Sequence, residues 1–545
     1  MNRRQFLHLL GLSTTSGFCF GSDSKNTFLP KNSSLNSNIK TKLFVPDQQL
    51  GHRLREPKKI MQGWLKSDEL PPVETLIAGA GVAGLSCAYH LNKANKDFLI
   101  VDPLDRPGGT SASIQCGSLD VPLGAHYLMS PPAESSELRQ FLFDIQAILS
   151  KSNDIDQFDK ELLLNVERST ERSFYKGQWY EGIGDSLGHH DQSPELKKFH
   201  HFWQFLSDLK GDDGKRWFSI PTGKSSRDPK ALELLKINFV DYLKNAEMWD
   251  DQVEYVVNYA CMDDYGCLAN EVSAWVGFHY FACRPFYDIP VTLTSSSGNA
   301  WLVKALLKNI SSSKTQWNTV LAGLKKHSEG VECLLTNSQG KWWRQTFRNV
   351  VYAGKNHTLK YLNRDDWFVS ELEKLIPNLL SKQKIWLTTQ IRLNSLPNSI
   401  EKSLCWDNVD IHSSSVGYIH ANHQQSKVNK NTLITHFYPI SAKLKWSAKE
   451  FQRKSKEELL QLVISDLKNS SPELLPYISE VIFRPMFHAM AMPDITQSLP
   501  SLTPTKLPYR IENIFLCNSD TYGLPLFEEA FQIGFHTSEA VIRNI

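Results

Sequence analysis

Apolar and polar positions along the chain fall into two periods, and the places where one gives way to the other define its elements. Leu76-Ile77-Ala78 is an unbroken apolar run, which predicts a strand buried on both faces. Val82, Leu85, Cys87, Ala88, Tyr89 and Leu91 then supply the apolar side of a helix, and Phe98-Leu99-Ile100-Val101 predicts a second strand. Helical periodicity returns over 138–148, 194–209 and 230–246, making residues up to about 290 a largely helical block. A hairpin over 172–180, turning at Lys176-Gly177, interrupts it. Strand patterns follow at 318–321, 330–335, 349–354 and 385–391, and 513–545 reads as strand, loop and helix.

The first strand and helix are joined by Gly79-Ala80-Gly81-Val82-Ala83-Gly84. Gly79 permits the tight turn, Gly81 lets the backbone approach a pyrophosphate, and Gly84 lets helix and strand pack closely, while free N–H groups of the helix face the phosphate charge. The second strand ends in Asp102, about 20 residues beyond the glycines, where a ribose hydroxyl expects a carboxylate. Strand, glycines, helix and acid in this order predict a bound dinucleotide, and a redox enzyme is the first reading.

A chain of 545 residues exceeds one compact core, so two domains or a large composite unit are expected. Its net charge of +2, without a basic run, excludes an electrostatic case for nucleic acid and favours a small-molecule partner. The nine cysteines are scattered, odd in number and without a CxxC pair, which reads as small buried packing residues. His420 and His423 read as loop residues, and no metal site is expected. Arg3-Arg4-Gln5-Phe6-Leu7, followed by an apolar stretch too short to span a bilayer, resembles a twin-arginine export signal over 1–21. A flexible linker over 22–44 and a periplasmic protein without a transmembrane domain follow from that reading. The alternative is a tether, through an uncleaved signal or a lipidated Cys19.

Four separated stretches resemble the flavin-dependent amine oxidase superfamily, which also contains carotenoid desaturases. Asp105-Arg106-Pro107-Gly108-Gly109-Thr110 is similar to its Arg-x-Gly-Gly-Arg turn, with Thr110 in place of the second arginine. Gly124-Ala125-His126-Tyr127 is similar to the segment that runs beside the isoalloxazine, although Asp120 stands two residues farther from the glycine. Ser297-Gly298-Asn299 opens a helix ahead of Val320, whose backbone would meet adenine. Asp520 matches the acidic position before the C-terminal helix that carries Ala530, with Ser519 where glycine is common.

The resemblance implies an α/β fold: a composite Rossmann-like FAD-binding domain from 45–150, 291–360 and 501–545, and a second α+β substrate domain built from two insertions, 151–290 and 361–500. The cofactor-binding set is then Gly79, Gly81, Ala83, Gly84, Asp102, Arg106, Gly108, Gly109, Thr110, Gly124, Ala125, His126, Tyr127, Val320, Asp520 and Ala530. No cysteine lies in 484–493, where relatives with covalent flavin carry one, so noncovalent FAD is expected. The implied activity is oxidation of an amine by hydride transfer to flavin, with dioxygen or another acceptor taking the electrons.

The protein then has chiefly to orient the substrate carbon and exclude water. Lys384 is the candidate for a lysine that assists reoxidation through a water, and His488, with Met490 and Met492, for the lining of the flavin face. Asp263-Asp264-Tyr265, with Trp275 and His279-Tyr280-Phe281 downstream, admits two readings: acids and rings for a cationic amine, or helix caps and aromatic core. Trp406-Asp407-Asn408 and 417–420 invite the same two. A carbon–carbon desaturase and a noncatalytic amine-binding protein stand as alternatives.

Overall fold

The computed structural model describes residues 39–44, 49–117, 119–151, 156–163, 171–182, 192–284, 291–362, 366–375, 382–421, 431–495, 499–502 and 508–544. The export-signal stretch, Cys19, most of the expected linker and His423 lie outside the described residues.

The strands predicted around the glycine turn form one sheet, in the order Thr315–Gln316, Phe98–Val101, Asp68–Ala78, Trp342–Tyr352, Gly330–Asn337, Thr319–His327. Ile514–Leu516 adds in parallel to Trp342–Tyr352, so the sheet draws on three distant parts of the chain. Its central pairings are parallel, as runs buried on both faces require. Helix Val82–Lys93 lies directly against it, because Gly84 leaves no side chain between the helix and Gly79 or Ala353. The C-terminal helix Phe527–Asn544 packs on that helix through Gly534, and Ser86 Oγ donates to Phe531 O at 2.8 Å.

A second sheet runs Lys40–Leu43, Ile478–Ala491, Gln383–Asn394, Asn431–Pro439, Tyr418–His420, Asp407–Asp410, Glu171–Tyr175, Gln178–Glu181. One face is covered by helix Lys456–Ser470, whose Leu459, Leu460, Val463 and Leu467 pack on Leu387, Ile391 and Phe483. The other turns toward the nucleotide domain, where Gln390 Nε2 donates to Pro122 O at 2.5 Å. The helical block, from Pro194–Ser207 to Ala274–Ala282, closes around Phe199, Phe239, Trp275 and Phe278.

Three expectations need correction. The helix expected over 138–148 is Ser136–Asp144, and Ile148 already belongs to a short strand. The helix expected over 230–246 is interrupted: Asn238 accepts from the N–H groups of Val240 and Asp241 and restarts it as Phe239–Asn245. Within the expected linker, Lys40–Leu43 pairs in parallel with residues 480–483. Backbone pairing at a sheet edge asks little of side-chain hydrophobicity, so this polar segment carries no apolar signal of its strand. The eight cysteines among the described residues are all buried.

Candidate active site

Two glycine turns face one another at the end of the nucleotide sheet. Gly108 N–H donates to Ala80 O at 2.7 Å, which ties them together. A Cβ on Gly81 would meet nothing within 4 Å, and one on Gly109 only the Gly81 Cα at 3.5 Å. The gap between them suits a group that must touch backbone, as a pyrophosphate does at a helix N-terminus. Asp102 takes part in building the turn: Oδ2 accepts from Ala80 N–H at 2.7 Å and Oδ1 from Leu104 N–H at 2.8 Å. Burial pushes its carboxyl up to about 6 against the pull of those bonds. Thr319 N–H donates to Asp102 O at 2.9 Å, bringing Val320 beside the acid, where adenine and ribose would lie together.

The segment beside the expected flavin ring is held from both sides. Ala125 N–H donates to Thr110 O at 3.0 Å, Asn299 Nδ2 to Tyr127 O at 2.8 Å, and Thr294 Oγ1 to His126 O at 2.7 Å. Gly298, at φ +57°, presses on Pro122 and Ala125, a conformation and a closeness that a side chain would oppose. Asn299 Oδ1 is buried without a partner among the described residues. Asp520 is the hub of a further cluster, accepting from Lys355 Nζ, Asn356 N–H and Gln383 Nε2, each at 3.2 Å. Arg106 is clasped by Asp105, at 2.9 and 3.0 Å. Cradle, orphaned oxygen and donor set fit a flavin dinucleotide.

Beyond Tyr127 the second sheet and helix Asp251–Tyr265 bring together an aromatic cluster, the candidate substrate chamber. His126 stacks on Phe437 at 5.0 Å, and Tyr127 meets Trp406 edge-on at 5.6 Å. Trp386, Tyr259 and Ala489 complete the apolar wall. Burial lowers His126 to about 4, so its imidazole is neutral at pH 7. Into this space come carboxylates. Asp263 and Asp264 occupy the last turn of helix Asp251–Tyr265, where the helix dipole opposes negative charge, and neither caps it: Asp250 does, at the other end. Tyr127 Oη donates to Asp263 at 3.5 Å. Burial holds Asp263 up at about 6 and Asp264, with the Asp263 charge beside it, higher still. Asp407 is raised by burial and by the nearby Glu171 and Asp263. The neighbouring cation, Arg284, is itself engaged by Glu528 at 2.8 Å. Outside Tyr259 and Met262 a cleft of about 330 Å³ opens, lined also by Asp251, Glu254 and Asp410.

A sequence profile for NAD(P)-binding Rossmann-like domains matches residues 77–144. No curated protein matches. Among solved structures the chain is similar to a triple mutant of putrescine oxidase with redesigned cofactor binding, at TM-score 0.63 and 13% identity over 87% of this chain and 100% of that one. It is also similar to cyclohexylamine oxidase from Brevibacterium oxydans IH-35A, at TM-score 0.60 and 14% identity over 87% and 99%. A protein from Exiguobacterium sp. 255-15 designated a protoporphyrinogen oxidase superposes at TM-score 0.53 and 14% identity over 86% and 98%. The chain has the flavin amine oxidase fold.

Within the flavin amine oxidase fold, the two candidate catalytic residues part company. Lys384 is buried, and its Nζ contacts Glu271 at 2.7 Å. It shares a strand face with Trp386, and both lie against Gly266, just past Asp263 and Asp264, so it stands at the acidic end of the chamber. His488 does not line the enclosed space. It is exposed and stacks on His357 at 4.1 Å. Between Lys384 and Trp386 one residue of Gln383–Asn394 opposes three of Ile478–Ala491, those between Met490 and Met486, and this bulge breaks the alternation that would have turned His488 inward. Trp275 and His279 are core residues stacked at 5.1 Å, whereas Asp263, Asp264, Trp406 and Asp407 face the chamber. Thr294 and Gln383 are supporting residues that sequence reasoning missed, each visible only through a contact with a distant segment. Arg484 left one local sign, a charge inside the apolar run Val481-Ile482-Phe483-Arg484-Pro485-Met486.

Proposed function

We propose that this chain is an FAD-dependent oxidoreductase that oxidises a cationic amine, with FAD held noncovalently. The observation that carries the reading is the set of carboxylates Asp263, Asp264 and Asp407 gathered near Tyr127, where the neighbouring Arg284 is paired with Glu528. A second ammonium on the substrate would neutralise them, and the faces of Trp406 and Tyr259 would add cation–π attraction. Bound FAD supplies a two-electron acceptor, and the two glycine turns, Asp102 and the backbone of 124–127 are the groups that would hold it.

The protein's own part is to orient, to keep water out and to manage a proton. An ammonium has no lone pair with which to form C=N as its α-hydride leaves, so the reacting nitrogen must first be neutral. A carboxylate with a raised pKa is suited to hold that proton. Loss of hydride from carbon then yields an iminium, which water hydrolyses to a carbonyl compound and an amine. The acids lining the outer cleft give cations an attractive approach. Dioxygen or another acceptor closes the cycle, and Lys384 is the residue assigned to that half-reaction.

The test is to add mono-, di- and polyamines anaerobically to the yellow holoprotein and follow the flavin absorbance. Bleaching by a diamine supports the reading, and bleaching by none of them sinks it. Export by the twin-arginine route belongs to the same proposal on the support of Arg3-Arg4 and the short apolar stretch after them. Replacing both arginines with lysine should keep the protein in the cytoplasmic fraction.

A further inference from the structure

Arg484 is a buried charge with no ion pair among the described residues. It is 7% exposed, and among the described residues neither Nε nor Nη1 has a hydrogen-bond acceptor. An unpaired guanidinium out of water is costly, so its presence in a fold calls for an anion to complete it. Strand alternation fixes where it looks. Val481 and Phe483 pack beneath helix Lys456–Ser470, whereas Ile482 packs with Ala112 and Val121, and Met486 with Tyr127. Arg484, between Ile482 and Met486, shares their face, toward the nucleotide domain.

That face carries other unmet groups. Thr388, the cross-strand neighbour of Arg484, leaves Oγ1 unpartnered, and Gln390, next along, leaves Oε1 so while its Nε2 holds Pro122 O. The charge that the fold sets beside Arg484 is another cation, Arg106, and with burial it pushes the guanidinium down to about 10. Arg106 belongs to the turn in which threonine stands for the second arginine, and Thr110 itself is exposed. Arg106 is already clasped by Asp105, so the guanidinium left to be completed beside the nucleotide turns is that of Arg484.

We propose that Arg484 is a charge partner of the bound flavin nucleotide, supplying from the second sheet the guanidinium that Thr110 does not. The inference rests on the FAD reading above. Two anions of that nucleotide could meet it: the pyrophosphate, or the isoalloxazine once it carries negative charge, as in its sulfite adduct.

The experiment compares the wild-type chain with Arg484→Gln and Arg484→Lys, measuring affinity for oxidised FAD, affinity of the holoprotein for sulfite, and the melting temperature of the apoprotein. For Arg484→Gln we expect FAD affinity to fall about 10- to 100-fold if the pyrophosphate is the partner, and sulfite affinity to fall by a similar factor if the ring is. Arg484→Lys should recover most of the loss. The apoprotein melting temperature should stay level or rise, because an unpaired buried charge has been removed; a merely structural arginine would lower it. If Arg484→Gln is insoluble, Arg484→Met carries the same test. FAD and sulfite affinities both within about twofold of wild type, or losses accompanied by a lower apoprotein melting temperature, would overturn the proposal. A wild-type chain that takes up no FAD would instead sink the flavin reading on which it stands.

Discussion

Asp263 is the residue at which geometry and chemistry meet most directly, since it touches Tyr127 and sits where its own helix dipole resists its charge. Its carboxyl ionises at about 6 in the fold, so it attracts an ammonium only above that pH. For a diamine, kcat/KM should rise as pH passes through 6, and Asp263→Asn should lower kcat/KM about 10- to 100-fold at pH 8 and flatten that rise. A pH profile of both forms decides; an unchanged profile in the variant would remove Asp263 from the site. Lys384 invites a narrower test. Lys384→Met should slow reoxidation of the reduced enzyme in stopped-flow mixing with dioxygen and leave anaerobic reduction by amine nearly unchanged. It should also cost about 1–2 kcal/mol of stability, because Glu271 loses its partner while staying partly solvated. Equal slowing of both half-reactions would make Lys384 a packing residue.

Among the elements, the glycine turn separates what a ligand needs from what the fold needs. Gly81, at φ −73°, has ordinary backbone geometry and open space at its Cβ, whereas Gly84 is wedged between Gly79 and Ala353. Gly81→Val should therefore leave the apoprotein melting temperature close to wild type and weaken FAD binding more than tenfold. Gly84→Val should destabilise the apoprotein itself, by about 1–3 kcal/mol through overpacking. Differential scanning fluorimetry with and without FAD separates the two, and equal behaviour would mean that the gap at Gly81 holds no ligand. This turn was legible in the sequence because strand, glycines and helix are contiguous there, and the 172–180 hairpin was legible for the same reason. His488 was not, because a bulge depends on how two strands with 83 residues between them come into register, and the apolar pattern of either one says nothing of it. The residue types of the acid cluster were plain, but their place at a helix C-terminus, which rules out capping, needed the end of that helix to be known.

Across the whole molecule, two sets of buried groups set opposing demands on pH. His126 and His279 are held down to about 4 and about 3 by burial, so their contribution to stability is present above pH 6.5 and is lost as pH falls through those values. Asp102 and Asp263, at about 6, and Glu529, at about 7, are raised by burial above 3.8 and 4.5. Their contribution is complete below pH 4 and is lost as pH rises through 6 and 7. Asp264 and Asp407 extend that loss upward, since burial and neighbouring acids raise them well beyond the usual carboxylate range. Between pH 4 and 6 the two histidines offset only part of the loss from the more numerous acids; above 6.5 only the acids still change. The apoprotein should thus be less stable at pH 8 than at pH 6, by on the order of 2 kcal/mol. A dication bound in the chamber answers that loss, because it interacts with the carboxylates only once they are ionised. The rise in melting temperature produced by saturating putrescine should accordingly be small at pH 5 and several degrees at pH 8, and Asp263→Asn should reduce it at the higher pH. A putrescine effect of equal size at both values would show that the dication binds elsewhere, on a surface whose charge does not change between them.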